Sequence, residues 1–218
     1  MIRVVIADDQ AIVRAGFTVI VEAAGDIEVV GEAKDGYEAV EVATRLRPDV
    51  VCMDIRMPGR DGIEATRQLS AATNGAIPVL VVTTFDLDDY VFGALEAGAA
   101  GFLLKGSNEE TLVAAIRSVA AGEGTLDQVL TRRVLAEFAV RRPSPETRRD
   151  DLSSTLTGRE LEILVLLCEG LSNHEIAERL FIEASTVKYH LAGLLGKIGA
   201  RDRLQAVVWA FQHGVVTP

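Results

Sequence analysis

The sequence predicts an α/β domain built on a doubly wound parallel sheet, followed by an all-α domain. Three observations carry this. Residues 1–121 alternate five short apolar runs with five segments whose apolar residues recur near helical spacing, the pattern of a parallel sheet covered by helices on both faces. Residues 157–213 carry helical spacing and no strand pattern. Between them lies RRPSPETRRDDLSS, residues 141–154, with two prolines and no large apolar residue before Leu152, which reads as a solvated linker.

The elements follow in order. Residues 2–7 (IRVVIA) form an apolar, β-branched strand that stops at Asp8 and Asp9. A helix over 11–24 leads to a second strand at 27–33 (IEVVGEA), and a helix over 36–46 ends before Pro48. The third strand, 49–53 (DVVCM), stops at Asp54, and a helix follows over 62–71. Pro78 opens the fourth strand, 78–83 (PVLVVT), and a helix spans 87–97. Gly98 and Gly101 bracket the exit to the last strand, 101–104 (GFLL). Ser107 and Glu110 are spaced as a capping box for a fifth helix over 109–121. Right-handed crossovers then give a flavodoxin-like, five-stranded order.

A further helix is expected over about 126–140, with Leu126, Val129, Leu130, Val134 and Phe138 on one side. The tail divides into helices 158–169, 173–180, 184–198 and 202–213, with capping boxes at Thr157/Glu160 and Ser172/Glu175. The short FIEAS connection before the third of these suits a helix-turn-helix. The expected domains are 1–121, a linker region 122–152, and 153–218.

Hydrophobic residues make up 49% of the 218, enough for two packed cores. No apolar stretch reaches the ~18 residues of a membrane span, and the N-terminus lacks the pattern of a secretory signal, so a cytoplasmic protein is expected. Cys52 and Cys168 each sit in an apolar run, away from any cluster of metal-ligand spacing, and are read as buried free thiols. The net charge is −10. Residues 1–125 hold 10 Lys/Arg against 20 Asp/Glu, whereas 153–218 hold 6 against 7. The acidity belongs to the front domain, and the tail is free to present a local basic face.

In such a sheet, ligands bind outside the carboxyl ends of the strands. That rim gathers Asp8 and Asp9, Asp54, Thr83 and Thr84, and Lys105. Clustered carboxylates repel unless a cation lies among them, and oxygen-only ligands suit a hard ion such as Mg2+ (or Mn2+). A carboxylate is also a nucleophile toward phosphorus. Metal, cation and hydroxyl together are what phosphoryl transfer asks of a protein.

The segments IADDQ, MDIRMPGRDG, PVLVVTTF and GAAGFLLKG resemble, in order and spacing, the receiver domain of two-component response regulators. The resemblance implies that Asp54 is the phosphoacceptor. It implies that Asp9 binds the metal with Asp8 assisting, and that the backbone carbonyl of Arg56 is a further ligand. Thr83 would hydrogen-bond the phosphoryl group, Lys105 would neutralise it, and Phe102 would be the switch aromatic. Arg56, Met57 and Thr84 would border the phosphoryl group. It also implies a sensor histidine kinase as donor, because His174, His190 and His213 all lie in the tail, outside any kinase-like context.

Residues 156–210 resemble the LuxR-type helix-turn-helix, so the whole chain resembles the NarL/FixJ family. In 184–198, Val187, Leu191, Leu194, Leu195 and Ile198 form an apolar stripe, with Lys188, Tyr189, Ala192 and Lys197 off it, a distribution suited to the major groove. The resemblance implies that Lys188, Tyr189 and Ala192 face bases. Thr186, Lys197, Arg201, Arg203, Ser172 and Asn173 are candidate phosphate contacts. Ala192–Gly193 and Glu183 depart from the usual pattern, so weak monomer affinity for promoter DNA is expected, offset by a homodimer on phosphorylation. Trp209 and the last helix are candidates for a tail–tail interface. Two alternatives stand beside this reading: a Mg-dependent phosphatase, against which Arg56 occupies the place of a second acid, and a phosphorylation-independent DNA binder.

Overall fold

The computed structural model describes residues 1–84, 88–122 and 156–215. The chain divides into two compact units, Met1–Thr125 and Leu126–Pro218. The helix expected near 126–140 and the linker lie outside the described residues.

The first unit is a five-stranded parallel sheet: β1 (Ile2–Ala7), β2 (Ile27–Ala33), β3 (Val50–Met53), β4 (Val79–Thr83) and β5 (Gly101–Leu104), in the spatial order β2-β1-β3-β4-β5. The connecting helices are α1 (Ala11–Ala23), α2 (Gly36–Leu46), α3 (Gly62–Thr73), α4 (Asp88–Glu96) and α5 (Glu109–Ala120). The strand order reverses between β1 and β3, which is where a doubly wound sheet opens a crevice at its carboxyl edge. Strands β3 and β4 are buried along their whole length, because helices cover both faces. Alternate residues Val4, Ile6, Val50, Cys52, Leu80, Val82 and Leu103 meet Val21, Leu112, Ile116 and Val119 in one core layer. The opposite parity, including Val81 and Phe102, faces the other side of the sheet.

Caps explain where the helices begin. Asp35 accepts from the backbone N–H groups of Tyr37 and Glu38, and Asp61 from that of Glu64. The capping box expected at Ser107 is not formed. Asn108 caps α5 instead, its Oδ1 accepting from both the N–H and the hydroxyl of Thr111, so the cap falls one residue later than expected while the helix begins at Glu109 as the spacing predicted.

The second unit comprises α6 (Gly158–Cys168), α7 (Asn173–Leu180), α8 (Ala184–Ile198) and α9 (Arg203–Gln212). Both tail capping boxes are present, at Thr157/Glu160 and Ser172/Glu175. Glu183 precedes α8 without a side-chain cap bond. Ile163, Leu164, Leu167, Ile176, Val187, Leu194, Ala206 and Ala210 fill the core between the helices. The predicted stripe of α8 is therefore its inner face. Both cysteines are buried and free, and burial pushes each thiol up to about 12. Among the described residues, no helix is long and apolar enough to cross a membrane.

Candidate functional site

Backbone pairing brings the rim together. The N–H of Asp54 donates to the Ala7 carbonyl at 2.8 Å, the N–H of Asp8 to that of Ala33 at 3.0 Å, and the N–H of Lys105 to that of Thr83 at 2.8 Å. Each ladder thus continues one residue past its strand and delivers a functional side chain.

Asp8 and Asp54 are buried and Asp9 is exposed. One ligand oxygen from each of the three carboxylates lies within 4.8 Å of the others. Lys105 Nζ sits 2.5 Å from Asp8 Oδ2 and 2.9 Å from Asp54 Oδ2, bridging the two. Asp54 Oδ1 accepts from the Ile55 N–H at 2.8 Å. Asp8 Oδ1 accepts from the Gln10 N–H at 2.9 Å. Burial raises the Asp54 carboxyl above the ordinary aspartate range. The hydrogen bond and charge of Lys105 oppose that without cancelling it, and the Asp8 charge adds to it. Burial also works against the Lys105 ammonium, but Asp8 and Asp54 together outweigh it and hold the lysine cationic.

The site opens into a cleft of about 610 Å³ walled by Asp9, Gln10, Asp54, Ile55, Arg56, Met57, Asp61, Thr84, Tyr90 and Lys105. Thr83 is buried and lies outside that lining, while Thr84 is on the wall. Phe102 pairs with Val81, and Leu104 with Thr83, so Phe102 and Thr83 face the same side of the sheet one step apart. Phe102 is 1% exposed, its ring packed inward. Gly62 shows how tightly the β3–α3 loop folds back. A Cβ there would lie 1.9 Å from the Asp54 carbonyl oxygen, so no side chain fits.

Sequence reasoning missed Gln10, Ile55 and Asp61 on the wall, and two further contributors. Arg14 donates from Nη1 to the Asp8 carbonyl and from Nε to Glu32, each at 2.8 Å, bracing the β1 tip. Tyr90 comes from the first turn of α4, and its only sequence signal was its place just after the fourth strand. The donor set is entirely oxygen, two of its carboxylates already accept one cation, and the cleft is open beside them. These residues fit a hard divalent ion.

In the second unit, Lys188, Tyr189 and Ala192 lie on the exposed face of α8, with Tyr189 77% exposed. Thr186 is partly buried and Arg201 exposed. Three predicted phosphate contacts are otherwise engaged. Lys197 Nζ lies 2.6 Å from Glu160 Oε2, tying α8 to α6. Arg203 Nη2 donates to the Leu171 carbonyl at 2.5 Å, holding the α6–α7 loop. The start of α7 already carries an anion. The Ser172 N–H donates to the Glu175 carboxylate at 2.7 Å and the Ser172 hydroxyl accepts from the Glu175 N–H at 3.3 Å. Asn173 beside it has a buried Oδ1 without a hydrogen-bond partner. Trp209 stacks on His213 with ring centroids 4.2 Å apart and packs against the unit's core.

A doubly wound domain with three carboxylates and a lysine at its switch point, joined to a unit whose described residues form four helices with a two-helix turn motif, defines a regulator with an acidic receiver site and a nucleic-acid-binding tail. Residues 4–117 match the family described as response regulator receiver domain, and residues 154–210 match the bacterial regulatory proteins of the luxR family. The chain belongs to the NarL/FixJ family of two-component response regulators and is a DNA-binding transcriptional regulator. It is 44% identical over 216 residues to the transcriptional regulatory protein LiaR of Bacillus subtilis (strain 168), covering 99% of this chain and 100% of that one. It is 42% identical over 215 residues to YxjL of the same organism, covering 99% and 97%. Among solved structures, the response regulator ChrA of a heme-sensing two-component system is 39% identical, covers 99% of this chain and 98% of its own, and aligns with a TM-score of 0.53. The receiver domain of a NarL response regulator from Mycobacterium tuberculosis is 38% identical over 56% of this chain and 98% of its own, with a TM-score of 0.54.

Proposed function

We propose that this regulator, acting in the cytoplasm, is switched by transfer of a phosphoryl group from a sensor histidine kinase to Asp54, and that phosphorylation promotes homodimerisation on promoter DNA. In this reading residues 1–121 are the receiver, 122–152 the linker region, and 153–218 the DNA-binding domain. The observation that carries it is the bridge from Lys105 to Asp8 and Asp54 at the tips of three different strands.

The carboxylates of Asp8, Asp9 and Asp54, with the backbone carbonyl of Arg56, would hold Mg2+. When bound, that ion spreads the charge of the phosphoryl oxygens. An Asp54 oxygen attacks phosphorus, an O–P bond forms as the N–P bond of the phosphohistidine breaks, and the imidazole leaves with the electron pair. Lys105, already against Asp54, neutralises the incoming oxygens. Thr83 lies at the end of β4, one step from Phe102 on the same face, so a Thr83 hydroxyl drawn toward the phosphoryl group vacates space that the ring can take. Lys188, Tyr189 and Ala192 of α8 then read the major groove, with Thr186, Arg201 and Asn173 toward its phosphates.

Intact-mass spectrometry after incubation with acetyl phosphate tests the switch. The wild type gains one phosphoryl group in Mg2+ and none in EDTA, and Asp54→Asn gains none in either. A phosphoryl group retained on Asp54→Asn would overturn the assignment.

A further inference from the structure

The turn between α7 and α8 holds Phe181 in the left-handed region, at φ 55°, with its side chain 95% exposed. Glycine and asparagine are the usual residues at such a helix end. The turn is pinned on both sides of the ring. The Phe181 N–H donates to the carbonyls of Ala177 and Glu178, the Ile182 N–H donates to Ala177 at 3.0 Å, and the Ile182 side chain packs against the core of the unit. The turn thus fixes an aromatic ring in a left-handed backbone position with the ring exposed. Arg47 and Asn74 close α2 and α3 in the same conformation, so what sets this turn apart is a large apolar ring held fully in solvent.

The neighbouring surface says which ligand. Phe181 stands three residues before Ala184, the first residue of α8, whose outer face carries Lys188 and the exposed ring of Tyr189. In helix-turn-helix docking the second helix enters the major groove at its N-terminal end while the first crosses the backbone. The turn between them therefore lies against the groove wall, where deoxyribose carbons present an apolar edge. The turn itself, Phe181-Ile182-Glu183, holds a carboxylate and no cation, so its contribution there is apolar and not ionic. Resting on the reading of α8 as the recognition helix, we propose that Phe181 packs against the sugar edge of the groove wall and adds sequence-independent affinity for duplex DNA without an ion pair.

The test uses the full chain, treated with acetyl phosphate and Mg2+, and a mixed-sequence 30-base-pair duplex titrated at several KCl concentrations. Phe181→Ala and Phe181→Gly weaken binding about fivefold at each salt concentration, the effect of covering roughly 40 Å² of apolar surface. The slope of log affinity against log salt stays at the wild-type value, because no phosphate contact is lost. Lys188→Ala, the control for the recognition face, weakens binding as well. The unfolding midpoint read from Trp209 is unchanged in Phe181→Ala and equal or higher in Phe181→Gly, since glycine relieves the backbone strain. Wild-type affinity in both Phe181 variants with weakened Lys188→Ala overturns the Phe181 contact and leaves the recognition face standing. Wild-type affinity in all three variants, or no binding by the wild type, overturns the recognition face and Phe181 with it. A lowered midpoint in Phe181→Gly makes the ring a packing element and also overturns the contact. So does a change in self-association by sedimentation without a change in duplex affinity.

Discussion

The salt bridge between α6 and α8 makes a quantitative prediction. Glu160 is buried, with its side chain 7% exposed, and it accepts from Lys197 Nζ at 2.6 Å and from the Thr157 N–H at 2.7 Å. Burial works against its charge, but Lys197 and the Thr157 N–H and hydroxyl outweigh it, and the carboxyl falls from 4.5 to about 2. A fall of that size corresponds to about 3 kcal/mol of folding free energy. Lys197 is 39% exposed, so water screens the pair and about 1–2 kcal/mol is the expected share. The folded value lies below the unfolded one. The stabilisation is therefore present above pH 4.5 and is lost as pH falls toward 2.

Glu160→Gln keeps the side-chain shape and an oxygen for the Thr157 N–H while removing the charge. The variant loses about 1–2 kcal/mol against wild type at pH 7, and the deficit shrinks as pH falls through the range of the Glu160 carboxyl. Urea unfolding followed by fluorescence reads this domain selectively, because Trp209 is the single tryptophan of the chain and packs in its core. An equal deficit at pH 3 and pH 7 would refute the reasoning, since the cost would then be one of packing and not of charge.

Other outcomes follow from the same geometry. Asp202, the buried cap of α9, is raised by burial to about 6 even though it accepts from the Gln205 N–H. Its contribution to stability is complete below the unfolded pKa and is lost as pH rises through 6, so Asp202→Asn, which keeps the cap, is more stable than wild type by about 2 kcal/mol at pH 8. Lys197→Met lowers affinity for DNA, if at all, without changing the salt slope; a slope reduced by about one would return Lys197 to the phosphate contacts. Gly62→Ala, whose Cβ would lie 1.9 Å from the Asp54 carbonyl, costs the receiver about 3 kcal/mol in urea unfolding and slows phosphoryl uptake measured by mass. Lys105→Met removes the cation that opposes the burial of Asp54, so the rate of uptake from acetyl phosphate rises with pH at a higher pH than in wild type.

The fold was legible because its signals are local. Apolar runs ending in Asp8, Asp9 and Asp54, prolines before strands, and helical stripes all lie within one element, and the observed bounds differ from those expected by a residue or two. The receiver rim was legible for a related reason. A parallel sheet places every strand's carboxyl end on one edge, so knowing where each strand stops is enough to know which residues meet. What sequence reasoning missed lies where the deciding neighbour is remote or where two local signals compete. Ser107–Glu110 has the spacing of a capping box, but Asn108 takes the cap with a side chain that reaches Thr111. Lys197 looks outward when α8 is considered alone; its partner, Glu160, lies 37 residues earlier on another helix.

Gly193 belongs to the same case, and it reverses an inference. Read within α8 it is a weak point, costing about 1 kcal/mol against alanine. In the folded unit, a Cβ at Gly193 would come within 3.1 Å of Glu160 Oε1, the carboxylate that Lys197 holds in place. The glycine and the lysine are therefore two halves of one arrangement. One leaves room for a buried charge against α8, and the other neutralises it. What α8 gives up in helix propensity returns as a fixed seat on α6. In the proposed reading, where α8 enters the groove at a set angle, that seat bears directly on function.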